Sequence, residues 1–521
     1  MAHFIEDFWT KNSHLWSEKL VTRFPPEPNG RLHLGHARSV WLNMSMAKKF
    51  GGKMHLRMDD TNPEKEDVSH ENAIIASLRR LGVSWDGDVR YASDNFSAMH
   101  ATARAWIGMG LAFVDTSDKD TIRAMRGDLY KPGVRSSDAN NPVAWHLDMF
   151  DRMTAGEFPD GGPVLRARID MGHANINLRD PVLYRIKHLV HARTGSAWCI
   201  YPTYDLAHPF CDVAEGIALS LCTLEFEDHR PLYNWVCDKA RFAFPDRAEH
   251  KPVEMEFSRL EITNGLTSKR KINALVMDGK VDGWDDPRLL TLDALTRRGF
   301  PPNVLFKFIE DCGISRSNSE LPFSRLEDTL RLELDATASR RVLVLDPVEL
   351  VITGSTMGAS TMVNNHPKDA SWGTREFGLS PNVYVERGDI RLPGTAEKGF
   401  KRLEVGACIR LMNMDIVTVT AIDDAAGRIM KVHAHATLDS KPRATIHALS
   451  KAHASDVEVL APSTMGPDDT PESCVRTYNA VVEPGAMNTV DTFHAIRVGY
   501  AVVDCKKLDR LILTVGLKKG F

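Results

Sequence analysis

The sequence has no pair of cysteines at CxxC spacing, although eight cysteines are scattered along its 521 residues. This pattern argues against a zinc knot and a disulfide framework, and it favours a reducing compartment such as the cytosol. No apolar run approaches the length of a membrane span, and the amino-terminal segment carries acids among its apolar residues instead of a basic start before an apolar core. Neither a membrane role nor a secretion signal is therefore expected.

An excess of positive charge is also missing. Lysine and arginine together number 65, against 69 for aspartate and glutamate, which gives a formal net charge of −4. Binding of nucleic acid must therefore rely on local basic groups, such as Lys269 to Lys271 or Arg297 with Arg298. The composition is otherwise that of an ordinary globular chain, and the length is too great for one hydrophobic core. We expect several compact units.

Strand-like and helix-like patterns alternate through the first hundred residues. An apolar run at Leu20–Phe24 and alternation at Met54–Met58 predict strands, and Arg90–Ala92 looks extended. Helical spacing is found between them, in Ala37–Phe50 and in Asp67–Leu81. This order favours a parallel, doubly wound sheet with right-handed crossovers, in which ligands bind at the carboxyl ends of the strands.

The pattern of residue types changes twice in the rest of the chain. From about residue 100 to 203 the elements are mixed and broken by glycine and proline, which indicates an insertion. Residues 261–335 are rich in helical stretches. Beyond Arg340, short apolar runs separated by Asp, Gly and Pro predict barrel-like β structure.

The segment RFPPEPNGRLHLGHARS places His33 and His36 three residues apart, after a strand and at the start of a helix. Backbone N–H groups and the positive end of the helix dipole favour anions there, and the two imidazoles can bond phosphate oxygens. Gly35 lets a nucleotide approach the backbone closely. The alternative is that HxGH arises by chance and that both histidines are ordinary partly buried side chains.

A second basic motif, LTSKRK, follows far downstream at Leu266 to Lys271. The preceding Asn264 and Gly265 break helices, which suits a mobile loop. Lys269 is then able to reach the diphosphate leaving group as a point charge. A basic hexamer alone is usually a solvated surface loop. Because LTSKRK follows HLGH in the chain, the two motifs together indicate a phosphate site more specifically than either does alone.

This pair of motifs resembles the two signatures of class I aminoacyl-tRNA synthetases. The flanking segments DDTNPEKED, DPVLYRIKH, SLCTLEFEDHRPLYNW and EFSRL are similar to the glutaminyl branch of the glutamyl and glutaminyl group. The similarity runs from about Arg23 to Pro347 and weakens beyond, above all after about residue 456.

The resemblance implies an α/β fold with a Rossmann-type doubly wound catalytic domain, an inserted acceptor-binding domain, a helical subdomain and two C-terminal antiparallel β-barrels. The two halves of the catalytic domain are expected at residues 1–100 and 204–260, with the acceptor-stem-binding insertion at 101–203. The other ranges are 261–338 for the helical subdomain with its SKRK loop, 339–349 and 456–521 for the proximal anticodon-binding barrel, and 350–455 for the distal one.

The implied reaction is ATP-dependent ligation of L-glutamine to its tRNA through a glutaminyl-adenylate, with release of AMP and diphosphate. ATP is expected to arrive with Mg²⁺, held largely by the phosphate oxygens and by no metal site of the protein. The partners are then ATP, glutamine and tRNA(Gln), and the resemblance implies a cytoplasmic monomer. Two alternatives stay open, a glutamyl-tRNA synthetase of the same architecture and a non-catalytic tRNA-binding paralogue.

Site residues carry over from the resemblance position by position. The catalytic set comprises His33, His36, Ser268 and Lys269, and the ATP-binding set comprises Glu27, Asn29, Gly35, Arg259 and Leu260. Glutamine is expected to contact Arg23, Asp59, Tyr204, His208, Cys222 and Glu254. Contacts with tRNA are expected from Asp228 at the acceptor stem and from Arg340, Lys401 and Arg402 at the anticodon.

The choice of glutamine depends mainly on Cys222. Glutamyl enzymes of the group commonly have an arginine there, which pairs with the substrate carboxylate, whereas a small neutral side chain suits an amide. The alternative is that Cys222 is simply a buried small hydrophobic residue. Glu254 departs from the family pattern, which usually has glutamine at that position. If Glu254 is ionised near the pocket it should repel glutamate and tolerate an amide donor, whereas if it points away from the pocket it has no bearing on the choice.

Overall fold

A computed structural model describes residues 3–16, 19–64, 66–247, 249–392, 394, 399–437, 440–489 and 491–517. The chain divides into two compact units. The first unit comprises Met1–Glu261 with Ile309–Leu321, and the second comprises Ile262–Phe308 with Pro322–Phe521. None of the helices formed by the described residues combines the length and the apolar character needed to cross a membrane.

A parallel sheet lies at the centre of the first unit, as the alternating pattern predicts. Its strands are Val21–Phe24, Lys53–Met58 and Arg90–Tyr91, and Arg23 pairs in register with His55. The crossover helices, Leu34–Lys49 and Val68–Arg80, bury the apolar faces that the helical spacing indicates. The carboxyl ends of these strands therefore lead into the segments that carry His33 and Asp59.

A second parallel pair follows later in the same unit. Strand Leu219–Thr223 pairs with strand Val253–Phe257, and Ser220 lies opposite Glu254. Two helices, Tyr204–Glu215 and Arg230–Ala240, accompany the pair.

Between these two regions lies an antiparallel sheet within the range predicted for the insertion. Trp106 and Phe150, on the helices Phe96–Gly108 and Val143–Thr154, are fully buried in its core. The strands of this sheet are Ala112–Asp115, Val164–Ala167, Val182–Ile186 and Ile200–Pro202. The remaining elements of the first unit are the helices His3–Asn12 and Lys119–Met125.

The second unit begins with helices and continues with β structure. The helices are Lys269–Met277, Leu292–Arg297 and Phe323–Thr337. Three elements meet or cross the boundary between the units, namely helix Pro302–Cys312 and the paired strands Leu260–Ile262 and Ser319–Leu321.

Two seven-stranded sheets form the carboxyl-terminal part, each around its own apolar core. Most neighbours are antiparallel, as the resemblance implies, although four pairs of the described strands run parallel, among them Pro347–Thr353 with Arg428–Ala436. One sheet contains Arg340–Arg341, Phe493–Ala495, Gly499–Val503, Arg510–Gly516, Ser455–Pro462, Val475–Val482 and Leu343–Leu345. The other contains Thr445–Ile446, Cys408–Leu411, Ile416–Ala425, Arg428–Ala436, Pro347–Thr353, Asn382–Glu386 and Leu449–Ser450, and a separate hairpin joins Ser360–Asn364 to Thr374–Gly378.

Candidate active site

The two histidines of the HLGH motif cap the helix that they open. His33 is the N-cap residue, and its Nδ1 accepts from the Gly35 N–H at 3.1 Å, while Nδ1 of His36 accepts from the His33 N–H at 3.2 Å. The ring centroids are 4.0 Å apart. Because both Nδ1 atoms act as acceptors, each neutral ring carries its proton on Nε2. Two N–H donors and a helix amino terminus thus lie together, a suitable arrangement for phosphate.

Gly35 is required by the closeness of the His33 ring. A Cβ atom at this position would lie 2.9 Å from Cε1 of His33 and 3.9 Å from the carbonyl oxygen of Leu260. The backbone of Leu260, an ATP contact implied by the resemblance, therefore lies beside the helix start. The Arg259 N–H, another predicted ATP contact, donates to Oδ1 of Asn318 at 3.0 Å, and the Arg259 guanidinium pairs with Glu225.

The turn that carries Glu27 and Asn29 lies beside the end of the second strand. The Asn29 N–H donates to the Glu27 carbonyl at 2.8 Å, and the Asp59 N–H donates to the Pro26 carbonyl at 3.0 Å. Burial raises the pKa of Asp59 to about 6, despite a bond from the Thr61 hydroxyl. The tertiary structure therefore places the buried Asp59 carboxyl beside the turn that carries Glu27.

Arg23 is fully buried, and all three nitrogen atoms of its guanidinium group donate hydrogen bonds. Nε donates to Asp212 at 3.2 Å, Nη1 donates to the Leu221 carbonyl at 3.2 Å, and Nη2 donates to Ser220 Oγ at 2.6 Å. Nη2 also makes a short contact with Nε2 of His208. The predicted glutamine residues Arg23 and His208 therefore form one buried network, which orients both side chains.

Two pKa shifts describe the charge of this network. Burial is the largest single influence on Arg23 and works against its charged form, but the Asp212 carboxylate and weaker attractions to neighbouring groups together raise the pKa of Arg23 above its ordinary range. Burial lowers the pKa of His208 to about 4, so its imidazole is neutral at physiological pH and accepts from Arg23. The positive charge of Arg23 is thus already balanced by a protein carboxylate.

Cys222, Tyr204 and Glu254 complete the predicted glutamine set. Burial raises the pKa of the Cys222 thiol to about 12 and raises that of the Tyr204 phenol, so both are neutral. The Tyr204 ring lies 5.0 Å from the His208 ring. A cavity of about 10 Å³, enough for one water, is lined by Asp59, Tyr204 and His208 among others. The neutral Tyr204 and His208 therefore line this cavity together with Asp59 and Arg57.

Atoms of His208, Cys222 and Glu254 lie within 4.8 Å of one another, a spacing that can hold a metal ion. The Arg23 guanidinium touches His208 and lies 3.5 Å from the Cys222 sulfur. Its fixed positive charge disfavours a cation at the same place. The group therefore suits a hydrogen-bonding ligand better than a metal.

Sequence reasoning missed the layer of charges beneath the pocket. Asp212 also accepts from Nη2 of Arg57 at 2.6 Å and from the Tyr233 hydroxyl at 2.9 Å, and Arg57 pairs with Glu215 at 3.1 Å. The signal that the sequence carries for Asp212 is an acid flanked by the apolar residues Phe210, Cys211 and Val213. Its partners are too distant along the chain to be recognised from spacing.

Ser268 and Lys269 lie in the second unit. The sequence predicts a mobile loop here, whereas the structure begins the helix Lys269–Met277 at this point. The physical reason is capping, because the Ser268 side chain accepts from the Lys271 N–H at 3.5 Å. The loop prediction is therefore wrong for residues 269–271.

Asp228, predicted to read the acceptor stem, lies in a short 3-10 helix that spans Leu224–His229 and has an exposed side chain. Its backbone carbonyl accepts from the amides of Asn175 at 2.6 Å and Asn177 at 3.1 Å, both within the predicted insertion. Asp228 is thus held from its backbone while its carboxylate faces solvent.

The three residues predicted at the anticodon differ in exposure. Lys401 and Arg402 are exposed, and Arg402 pairs with Asp389 at 2.5 Å. Arg340 is buried and donates to the carbonyls of Asp335 and Ala338. Its position disfavours a direct contact with RNA and suggests a structural role for this arginine.

Two family profiles, several curated proteins and solved structures are similar to this chain. The profile described as tRNA synthetases class I (E and Q), catalytic domain, matches residues 19–335, and the profile for the corresponding anti-codon binding domain matches residues 338–437. The chain is 43% identical to a glutamine–tRNA ligase from Nitrosomonas europaea and 44% identical to one from Xanthomonas campestris, over 94% and 93% of this chain and 90% of each relative. A crystal structure of a glutamate tRNA ligase from Elizabethkingia meningosepticum aligns with a TM-score of 0.45 at 15% identity, over 61% of this chain and 70% of that one.

Proposed function

This chain belongs to the class I tRNA synthetases for glutamate and glutamine, and we propose that the groups around Arg23 and His33 activate glutamine for transfer to tRNA. The chain charges tRNA with glutamine in an ATP-dependent ligation. The observation that supports glutamine at this pocket is the neutral Cys222 thiol beside an arginine whose charge is paired with Asp212. A substrate carboxylate therefore meets no available cation there.

The first step is attack of the glutamine α-carboxylate on the α-phosphorus of ATP. A carboxylate oxygen forms the new bond, and diphosphate leaves as the bond between the α-phosphorus and its bridging oxygen breaks. The protein then needs to align the reactants and stabilise the charge on the phosphates, without a general base. The Nε2–H groups of His33 and His36 and the helix amino terminus supply such donors.

Lys269 is assigned to the departing diphosphate by the resemblance of its motif, and Ser268 to the capping of its helix. Mg²⁺ supplies further neutralisation of the triphosphate when it is bound. Among the described residues, the clusters with metal-binding spacing do not include His33 or His36. We propose that the ion is carried largely by the oxygens of ATP.

Glutamine is oriented by its two ends. The Asp59 carboxylate, ionised in most molecules near neutral pH, accepts from the α-ammonium as a charge-assisted bond. Tyr204 and its neighbours meet the carboxamide, which both donates and accepts. The charged Asp59 and the neutral side chains of Tyr204 and Cys222 thereby distinguish the two ends of the substrate.

In the second step a hydroxyl of the terminal tRNA ribose attacks the adenylate carbonyl, and AMP leaves. We assign Asp228 to the acceptor stem and Lys401 with Arg402 to the anticodon region, because these side chains are exposed. The enzyme is proposed to act as a cytoplasmic monomer.

The proposal is tested by aminoacylation with each amino acid, ATP and total tRNA. Charging of glutamine is expected, with a loss of kcat of at least about a hundredfold in Lys269→Ala. Lys280→Ala is the matched control, since this exposed lysine at the far end of the same helical region pairs only with the exposed Asp278 among the described contacts. Preferential charging of glutamate would overturn the glutamine assignment, and full activity in Lys269→Ala would overturn the role of the lysine.

A further inference from the structure

The buried charges beneath the pocket balance one another. Arg23 and Arg57 contribute two positive charges, and Asp212 and Glu215 contribute two negative ones. All four side chains are almost completely buried. The network is therefore neutral before a substrate enters, and no cation in it is left to compensate a further carboxylate.

Glu254 is such a further carboxylate. It is 4% exposed and accepts from the Cys222 thiol, while its Oε2 atom has no hydrogen-bond partner. Two residues along the same face, Glu256 receives two hydrogen bonds from Arg230. Glu254 thus differs from Asp212, Glu215 and Glu256 in lacking an arginine partner, and a ligand donor is needed to satisfy its second oxygen.

The groups facing Glu254 from the neighbouring elements do not supply one. The cations Arg23, Arg230 and His229 are paired with Asp212, Glu256 and Asp205 respectively. The acids Asp212 and Glu256 disfavour the charged form of Glu254. The other titratable neighbours are neutral at physiological pH, namely Tyr204, His208, Cys222, Tyr233 and Cys237.

Burial therefore dominates, and it raises the pKa of Glu254 to about 7. The carboxyl group changes its protonation within the ordinary working range of pH. As a carboxylate it only accepts hydrogen bonds, whereas as a carboxylic acid it also donates one.

We propose that Glu254 makes the choice between glutamine and glutamate depend on its own protonation. The ionised form accepts a hydrogen bond from the carboxamide N–H₂ of glutamine and repels the γ-carboxylate of glutamate. The protonated form donates to that γ-carboxylate and no longer repels it. Discrimination against glutamate therefore weakens as the pH falls. This inference rests on the proposed function of the pocket.

The experiment compares kcat/KM for glutamine with kcat/KM for glutamate, using the whole enzyme with tRNA and ATP, from about pH 6 to about pH 8.5. The ratio cancels titrations that act equally on both substrates, such as that of Asp59 at the α-ammonium. In the wild type the ratio is expected to fall by up to about tenfold for each pH unit below 7. Glu254→Gln keeps the shape of the side chain, and its ratio is expected to be lower at high pH and independent of pH.

Glu249→Gln is the matched control, because it makes the same chemical change at an exposed position on the same unit. It is expected to reproduce the wild-type curve. A wild-type ratio that stays constant over this range overturns the inference without needing any variant. So does a Glu254→Gln curve that coincides with the wild type. Failure of the wild type to charge glutamine at any pH instead rejects the proposed function.

Discussion

Nε of Arg23 lies 3.2 Å from Oδ1 of Asp212, although the two residues are 189 positions apart in the chain. Both are fully buried, and the same carboxylate also accepts from Arg57 and Tyr233. Asp212 therefore holds the Arg23 guanidinium in place beneath the pocket. Because Asp212 also balances the positive charge of that guanidinium, Arg23 is not available to pair with an acidic substrate.

Replacing Asp212 with asparagine is expected to destabilise the protein strongly. Two buried guanidinium groups would lose their shared carboxylate, and such losses cost about 3–5 kcal/mol. We expect a lower urea midpoint and, in the folded fraction, a KM for glutamine raised by about tenfold. Asp238→Asn serves as control, because Asp238 is exposed and pairs with the neighbouring Arg241. Equal stability of the two variants would contradict this prediction.

Gly35→Ala is expected to impair activation while leaving the fold intact. The added methyl group would lie 2.9 Å from Cε1 of His33, so the ring must turn away from its cap. We expect kcat for ATP–diphosphate exchange, measured with tRNA present, to fall by about ten- to a hundredfold. Gly108→Ala is the control, since nothing lies within 4 Å of its added Cβ. Unchanged exchange in Gly35→Ala would show that the His33 ring position is unimportant.

The family resemblance also predicts that this exchange requires tRNA. The prediction is checked by measuring exchange of labelled diphosphate into ATP with and without total tRNA, at saturating glutamine. Robust exchange without tRNA would count against the close similarity to the glutaminyl branch.

Low pH is expected to weaken the ion pair between Arg297 and Asp504 in the second unit. Arg297 and Arg510 both donate to Asp504, and these bonds overcome burial to lower the pKa of Asp504 to about 2. Because the folded pKa lies below the ordinary value, the unfolded chain binds the proton more readily. The contribution of Asp504 to stability is therefore complete above about pH 4 and is lost as the pH falls towards 2.

This direction of the pH dependence of stability is tested by comparing urea denaturation of the wild type and Asp504→Asn. The wild type is expected to be more stable near neutral pH, and the difference is expected to shrink progressively below about pH 4. A difference that stays constant down to the lowest pH at which the protein folds would contradict the assignment.

Lys401→Ala is expected to weaken tRNA binding without affecting glutamine. An exposed lysine that contacts a phosphate adds to the salt dependence, so the slope of log KM against log salt should decrease by about 0.7. Lys451→Ala is a suitable control, because Lys451 pairs with Glu349 at 3.0 Å. A raised KM for glutamine in Lys401→Ala would contradict a role restricted to tRNA.

Several features of the site could be predicted from the sequence because their causes are local. The helix start at His33 and His36 depends on residues within a few positions, and the strands and helices of the first hundred residues follow from their apolar periods. The same local reasoning was wrong for Lys269, because the Ser268 cap begins a helix where Asn264 and Gly265 suggest a loop. The domain ranges expected from the resemblance stay predictions.

The sequence by itself determined the motifs, the order of elements and the neutrality of the residue at position 222. Only the tertiary structure decided which charges are paired. Asp212 meets Arg23 and Arg57 across long separations, Glu254 is left without an arginine, and Arg340 is buried. The physical reason is that periodicity and capping act over a few residues, whereas desolvation and ion pairing depend on which distant segments the fold brings together.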